Sequence, residues 1–219
     1  MSKRGVFISL EGIEGCGKST QAKILSDYIS GLGYCVVPTR EPGGTHIAEK
    51  IREILLDPKN EAMTNITELL LYMASRSQHV NQVIMPALRD AKIVICERFS
   101  DATYAYQGYA RGLDLQVIEN LTQIATNGLE PDLTIVLDLE VEKGLLRAER
   151  SKNHLDRLES QSIEFHSKVR NGYIDIARRY PERVKVVDAN GSIEDVNFRI
   201  KRYINQFMGE TANYSKSDK

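Results

Sequence analysis

The sequence has no tryptophan, only three cysteines and six prolines, and no apolar run that approaches the roughly 20 residues of a membrane-spanning helix. Cys16, Cys35 and Cys96 are odd in number and form no C-x-x-C pair, which indicates free thiols in a reducing compartment. The apolar stretch near the N-terminus is too short for the core of a signal peptide. We therefore expect a cytoplasmic protein without a membrane partner.

Neither sign of charge is in excess, because 29 Lys plus Arg stand against 30 Asp plus Glu and the formal net charge is -1. This balance gives no general attraction to DNA or RNA, so no nucleic acid partner is expected. Any phosphate chemistry must therefore use local positive sites.

The chain has 219 residues, of which 42% are hydrophobic, and this is enough to bury the core of one domain. We expect that domain over residues 1–208. The last eleven residues, 209–219, are polar and are predicted to form a flexible tail.

Short apolar runs rich in β-branched residues alternate with longer stretches of helical spacing. The predicted strands are Val6–Leu10, Cys35–Pro38, Ile93–Cys96, Leu133–Leu139 and Val184–Val187. The predicted helices are Gln21–Ser30, Ile47–Leu56, Ile66–Leu88, Leu115–Thr126, Ser160–Tyr180 and Ser192–Phe207. Strand followed by helix, repeated, indicates an α/β fold in which helices cover both faces of a parallel sheet.

A glycine-rich segment after the first predicted strand fits the pattern G-x-x-x-x-G-K-[ST] and precedes a predicted helix, which is the context that a phosphate-binding P-loop requires. Its glycines let backbone N–H groups approach phosphates, and the N-terminus of the helix adds positive potential. Lys18 would reach the β- and γ-phosphates, and the Ser19 hydroxyl would ligate Mg²⁺. The predicted nucleotide-binding residues are Gly12, Ile13, Glu14, Gly15, Cys16, Gly17, Lys18, Ser19 and Thr20.

The third predicted strand ends in Glu97 and Arg98, at the sheet edge where α/β folds bind ligands. Glu97 could orient the water shell of a metal or Lys18, and the guanidinium of Arg98 matches the phosphate of a second substrate. A surface ion pair is the alternative interpretation. Because a P-loop is present, we favour the phosphate-binding role. The sequence has no N-K-x-D element that reads guanine, which argues against a GTPase, and it is too short for most motor or transporter ATPases.

Three further segments resemble markers of the thymidylate kinase family. They are R-E-P-G-G-T at 40–45, the stretch E-R-F-S-D-A-T-Y-A-Y-Q-G at 97–108, and L-D-R-L-E at 155–159. Together with the P-loop they extend the resemblance over roughly residues 5 to 208. The resemblance implies a P-loop NTPase fold with a five-stranded parallel sheet and a small lid, transfer of phosphate from ATP to dTMP with Mg²⁺, and a homodimer.

The resemblance also implies roles for single residues. Glu14 resembles the acid that contacts the 3′-hydroxyl region of the acceptor sugar. Tyr72 and Arg76, four residues apart on one helix face, resemble the pair that stacks on thymine and donates to its carbonyl. Pro42 resembles the proline beside the thymine 5-methyl group. Around the base and the deoxyribose the similar residues are Thr103, Tyr106 and Gln107.

For several of these residues an ordinary structural role is the alternative. Tyr72 could belong to the core and Arg76 to the surface. Pro42 could serve only to make its turn rigid. Thr103, Tyr106 and Gln107 could be loop or helix-surface residues without a ligand.

The polar segment that begins at Arg147 resembles the lid that closes over ATP, which we expect at about residues 147–154; a solvated helix end is the alternative. In this family the catalytic arginine lies either in the P-loop or in the lid. Because Gly15, not arginine, follows Glu14, the resemblance implies a lid arginine, with Arg150 the favoured candidate and Lys152 at a position that is often arginine.

One residue departs from the family pattern, because Glu97 stands where aspartate is usual. The extra methylene moves the carboxylate by about 1.5 Å, so Glu97 could act through water or through Lys18 and not as a direct metal ligand.

The predicted chemistry is direct in-line phosphoryl transfer, with Lys18, Arg98, Arg150 and Glu14 as the catalytic set. A phosphate monoester is already a nucleophile near neutral pH, and no Ser-His or Cys-His constellation suggests a covalent intermediate. Two alternatives stay open. One is a kinase for another nucleoside monophosphate or a deoxynucleoside, and the other is a nucleotide-dependent assembly switch.

Overall fold

The structure is a computed structural model that describes residues 4–151 and 156–214. Within them five parallel strands form one sheet in the order β2-β3-β1-β4-β5. The strands are β1 Val6–Glu11, β2 Val36–Arg40, β3 Ile93–Glu97, β4 Leu133–Asp138 and β5 Val184–Asp188. All five strand predictions are confirmed to within a few residues.

The order of the strands determines where a ligand can enter. The chain leaves β1 and reaches β2 beyond β3, whereas β4 pairs with the opposite side of β1. Such a reversal opens a crevice at the carboxyl ends of the central strands. Proline is confined to edge strands because it cannot donate to the ladder, and Pro38 lies on the edge strand β2.

Nine α-helices connect and cover the strands in the part of the chain that the structure describes. They are α1 Lys18–Gly31, α2 His46–Leu56, α3 Asn65–His79, α4 Met85–Arg89, α5 Ser100–Thr103, α6 Leu115–Thr126, α7 Val141–Ser151, α8 Ile163–Arg179 and α9 Ile193–Tyr214. Two π-helical segments, Val80–Ile84 and Tyr104–Ala110, continue α3 and α5.

Some helix predictions need correction. The predicted helix Ile66–Leu88 is helical throughout but not α-helical throughout, because the π-helical turn Val80–Ile84 lies between α3 and α4, where Pro86 occupies the first turn. Helix α7 and the helical run through 100–110 were not predicted. Helix α9 continues to Tyr214, so residues 209–214 of the predicted flexible tail are helical; residues 215–219 lie outside the described residues.

Apolar side chains fill both faces of the sheet. Successive residues of a strand point to opposite faces, and accordingly Ile8 and Leu10 pack with α1, α8 and α9, whereas Phe7 packs with Phe99 and the helical segment around Ile84. The prediction of helices on both faces is confirmed. No helix in the described ranges is long and apolar enough to cross a membrane.

Candidate functional site

The P-loop connects β1 to α1, and three of its glycines, Gly12, Gly15 and Gly17, have positive φ. Gly12 has φ 135° and Gly15 has φ 67°, a region that side chains with a Cβ rarely adopt. A Cβ at Gly15 would lie 1.9 Å from the carbonyl oxygen of Gly144 in α7. The chain therefore has no room for an arginine at position 15.

Lys18 begins α1 and folds its ammonium back into the loop. Its Nζ donates to the carbonyl oxygens of Ile13 at 2.7 Å and Gly12 at 3.1 Å. The side chain is largely buried, so the positive charge is held at the N-terminus of a 14-residue helix. Both the ammonium and the helix terminus favour an anion such as a phosphate group.

The two predicted metal ligands are neighbours in the structure. Ser19 Oγ donates to Glu97 Oε2 over 2.6 Å, and Glu97 stands at the carboxyl end of β3 next to the P-loop. A hydroxyl and a carboxylate are hard oxygen donors of the kind that Mg²⁺ prefers. Two protein ligands suit this ion, because Mg²⁺ usually retains several waters and binds substrate phosphates.

Arg98 lies between the P-loop and the residues expected around the acceptor. Its Nη1 donates to Gly12 O at 2.9 Å and its Nη2 to Glu14 Oε1 at 2.7 Å, while the guanidinium lies 5.0 Å from the centroid of the Tyr106 ring. The Tyr106 hydroxyl donates to Glu14 Oε2 at 2.5 Å. Burial alone would raise the pKa of Glu14, but the charges of Arg98 and Lys18 outweigh it and lower that pKa to about 2.

Arg76 is a buried guanidinium and not a surface charge. Its Nη1 donates to Thr103 Oγ1 at 2.9 Å, its Nη2 to Phe99 O at 3.0 Å, and its Nε to Glu41 Oε2 at 2.7 Å. Tyr72 lies one turn earlier on α3, and desolvation raises its pKa. Arg76 and Tyr72 therefore belong to one cavity wall, as their spacing predicts.

Gln107 is held by a buried carboxylate that the sequence did not reveal. Its Nε2 donates to Glu68 Oε1 at 2.9 Å, and the same carboxylate accepts from Arg111 and pairs with Arg157 Nη2 at 2.6 Å. Glu68 thus connects α3 to the π-helical segment Tyr104–Ala110 and to Arg157.

One cavity of about 1000 Å³ connects these groups. It extends from the P-loop past Arg98 to Tyr72 and Arg76, and in another direction to Gly191. The predicted site residues that line it are Glu14, Gly15, Cys16, Gly17, Lys18, Ser19, Thr20, Pro42, Tyr72, Arg76, Glu97, Arg98, Thr103, Tyr106 and Gln107. Gly12, Ile13 and Arg150 are not among its lining residues.

The expected lid is described only in part. Arg147 and Arg150 are both exposed on α7, and of the two Arg147 lines the cavity. Lys152 and the rest of 152–155 lie outside the described residues. Arg147 is thus a second candidate for the lid arginine, beside Arg150.

Several residues at the site were not given a role from the sequence. Glu41 and Arg157 lie inside two of the quoted marker segments, and this was the available signal for them. His79, Glu68 and Arg111 had no such signal, because their partners are distant along the chain.

Comparisons with known proteins agree on one family. A family model described as thymidylate kinase matches residues 10–200. The thymidylate kinase of Syntrophotalea carbinolica is 54% identical over 200 residues, covering 89% of this chain and 92% of its own. That of Geotalea daltonii is 52% identical over 202 residues, covering 90% of this chain and 94% of its own.

A solved structure gives the same result. The crystal structure of thymidylate kinase from Ehrlichia chaffeensis aligns with a TM-score of 0.76 and 33% sequence identity. The alignment covers 92% of this chain and 99% of that one.

Proposed function

The chain belongs to the thymidylate kinase family and phosphorylates dTMP to dTDP in dTTP biosynthesis, and we propose that it does so with ATP and Mg²⁺ by direct in-line transfer. The observation that carries this mechanism is the position of Arg98. Arg98 donates hydrogen bonds to Gly12 and Glu14 of the P-loop and lines the same cavity as Tyr72 and Arg76, so both substrates can meet at one guanidinium.

The donor half of the site is the P-loop. Lys18 and the N-terminus of α1 bind the β- and γ-phosphates of ATP, in agreement with the position of its ammonium. Ser19 and Glu97 hold Mg²⁺, directly or through water. When bound, this ion offsets the charge that develops between the phosphates during transfer.

The acceptor half begins at Arg98, which binds the phosphate of dTMP. Glu14 and Tyr106 are hydrogen-bonded to each other and face the deoxyribose. Because the charge of Arg98 is partly neutralised by Glu14, the arriving phosphate competes for a guanidinium that is already oriented. Orientation of both substrates is the main source of catalysis in phosphoryl transfer.

Tyr72, Arg76 and Pro42 form the base pocket in this proposal, and Thr103 and Gln107 line the same cavity. Arg76 donates to a carbonyl of thymine, and cytosine carries an amino group at the corresponding position. Two facing donors leave a buried polar group unsatisfied, at a cost of about 1–3 kcal/mol. We expect dCMP to be nearly inert and dUMP, which lacks only a methyl group, to be a poor but detectable substrate.

The remaining proposals concern the lid, the domain and the assembly. Residues 1–208 act as one domain whose lid, at about 147–154, closes over ATP and excludes water.

The adjacent helices α3 and α6 expose apolar residues that support a homodimer through the face they share. These residues are Ile66, Leu70, Val117 and Ile124. Light scattering tests it: wild type should be a dimer and Leu70→Glu a monomer, whereas a monomeric wild type contradicts it. The cytoplasmic location stays a prediction.

The stereochemistry of transfer tests the mechanism. ATP made chiral at the γ-phosphorus with oxygen isotopes should give dTDP with inverted configuration, because one in-line displacement inverts phosphorus. Retention would require two displacements and hence a phosphorylated enzyme, and it would contradict direct transfer. Omission of dTMP serves as the control for hydrolysis of ATP by water.

A further inference from the structure

A buried carboxylate fixes the guanidinium that we assign to the base. Glu41 is 4% exposed; its Oε2 accepts from Arg76 Nε at 2.7 Å and its Oε1 bonds to His79 Nδ1 at 2.9 Å. Burial would raise the pKa of Glu41, but the charge of Arg76 and the hydrogen bond from His79 lower it below its ordinary value. Glu41 is therefore an ionised acceptor that defines the plane of the guanidinium.

His79 holds that carboxylate in place. The imidazole is fully buried on the last residue of α3, and its Nε2 lies 2.6 Å from Thr39 Oγ1 in β2. With the proton on Nδ1, the ring donates to Glu41 and accepts from the Thr39 hydroxyl. Both ring nitrogens are then satisfied, and a strand, a turn and a helix are joined in one chain of hydrogen bonds.

The same ring supports the turn that carries Pro42. A Cβ at Gly44 would lie 2.7 Å from two atoms of the His79 ring, so the turn packs directly against the imidazole. Glycine at position 44, with φ 82°, makes this close approach possible. His79 thus contacts both the residue that orients Arg76 and the turn that carries the other wall of the pocket.

Arg76 has one donor left for a ligand. Nε is engaged by Glu41, Nη1 by Thr103 and, more weakly, by Met73 Sδ at 3.9 Å, and Nη2 by Phe99 O. A guanidinium has five N–H groups. The second N–H of Nη2 has no partner among the described residues, and Arg76 lines the cavity. Its direction depends on how Glu41 holds the guanidinium.

We propose that the chain Thr39–His79–Glu41 positions Arg76 and thereby sets the choice of base, with His79 and Glu41 as positioning residues that do not touch the substrate. The proposal rests on the proposed function. The selected ligand is a pyrimidine that presents a carbonyl oxygen, and not an amino group, to the last N–H of Arg76. A guanidinium that is free to rotate would offer other donors and would lose this discrimination.

Two substitutions of His79 separate its two contacts. The amide nitrogen of asparagine takes the place of Nδ1, so His79→Asn keeps the donor to Glu41; glutamine takes the place of Nε2, so His79→Gln keeps only the Thr39 side. We expect His79→Asn to preserve the ratio of kcat/KM for dTMP over dCMP to within about threefold. His79→Gln should lower it by about tenfold or more through KM for dTMP, with KM for ATP unchanged.

Ser26→Ala is the control. Ser26 is largely buried on α1, its Oγ donates to Ala22 O at 2.7 Å, and no described contact joins it to Glu41, Arg76 or the turn that carries Pro42. Its ratio should equal that of wild type. Thermal unfolding of every variant separates a loss of fold from a loss of orientation.

The outcomes distinguish the two proposals. Wild type that uses dCMP as well as dTMP overturns the proposed function and the inference with it. Wild type that prefers dTMP, with equal ratios in the Asn and Gln variants, overturns the inference alone. If neither variant folds, Glu41→Asp decides, because it keeps the negative charge but withdraws the carboxylate from Arg76 and His79. A lowered ratio supports the positioning role, and an unchanged ratio refutes it.

Discussion

Replacing Glu11 with glutamine should change the pH dependence of stability. The free energy of unfolding of the variant, minus that of wild type, should be larger at pH 8 than at pH 5. Glu11 is the last residue of β1 and is fully buried. Its carboxylate accepts hydrogen bonds from Ser9 Oγ at 2.6 Å, Phe99 N at 2.6 Å and the Tyr173 hydroxyl at 2.9 Å. Burial, with the negative charge of Asp101, nevertheless raises its pKa from 4.5 to about 7.

The raised pKa determines the sign of the effect. Between pH 4.5 and 7 the folded protein binds a proton that the unfolded chain has released, so stability falls as pH rises through this window. Each pKa unit is worth about 1.4 kcal/mol, which gives a loss of about 3 kcal/mol from this group, most of it between pH 5 and 8.

Glutamine mimics the protonated acid and does not titrate. Its Oε1 can accept from Ser9 and Phe99 while its Nε2 donates to the Tyr173 oxygen, so Ser9 and Phe99 keep their acceptor and Tyr173 changes from donor to acceptor. Urea unfolding at pH 5, 6, 7 and 8 measures the difference between variant and wild type. Glu61→Gln, an exposed site, is the control. A difference that does not change with pH would refute the raised pKa.

Other substitutions test the proposed phosphate contacts. Lys18→Ala should lower kcat by at least about 100-fold with unchanged circular dichroism, because its charge serves the phosphates; unchanged turnover would remove the P-loop from the mechanism. Arg98→Ala should raise KM for dTMP by about 10- to 100-fold and KM for ATP much less, and equal effects on both would contradict its acceptor role. Of Arg147→Ala and Arg150→Ala, assayed in parallel, the catalytic arginine is the one whose loss lowers kcat; two unaffected variants would argue against a lid arginine.

The sheet could be predicted because buried parallel strands are nearly continuous apolar runs, such as Ile93–Cys96. The start of α9 has an equally local signal, because S-I-E-D at 192–195 has the spacing of a capping box: Asp195 N donates to Ser192 Oγ at 3.1 Å, and Ser192 N donates to Asp195 Oδ2 at 3.1 Å. In each case the signal lies within a few residues of the element that it determines.

The rest depended on packing that spacing does not reveal. The helical run through 100–110 is rich in tyrosine and contains Gly108, both weak helix formers, and tertiary contacts hold it: a Cβ at Gly108 would lie 2.6 Å from Leu115 Cδ2. The continuity of apolar spacing through 66–88 concealed the π-helical turn, which has nearly the same pattern of buried residues.

The P-loop and Arg98 could be found from motifs because their spacing is fixed by backbone geometry. The hydrogen bonds from His79 through Glu41 to Arg76 could not be found in this way. Glu41 lies 35 residues from Arg76 and 38 residues from His79 in the sequence, and only the fold brings them together. A buried histidine gives no sequence signal of its partners.

The measurement that tests the central claim most directly is kcat/KM with ATP and Mg²⁺ across dTMP, dUMP, dCMP, UMP, AMP, GMP and thymidine, followed by release of ADP. The account predicts the highest value for dTMP, detectable turnover of dUMP and almost none of dCMP or thymidine. A higher value for any other acceptor in this panel would contradict it.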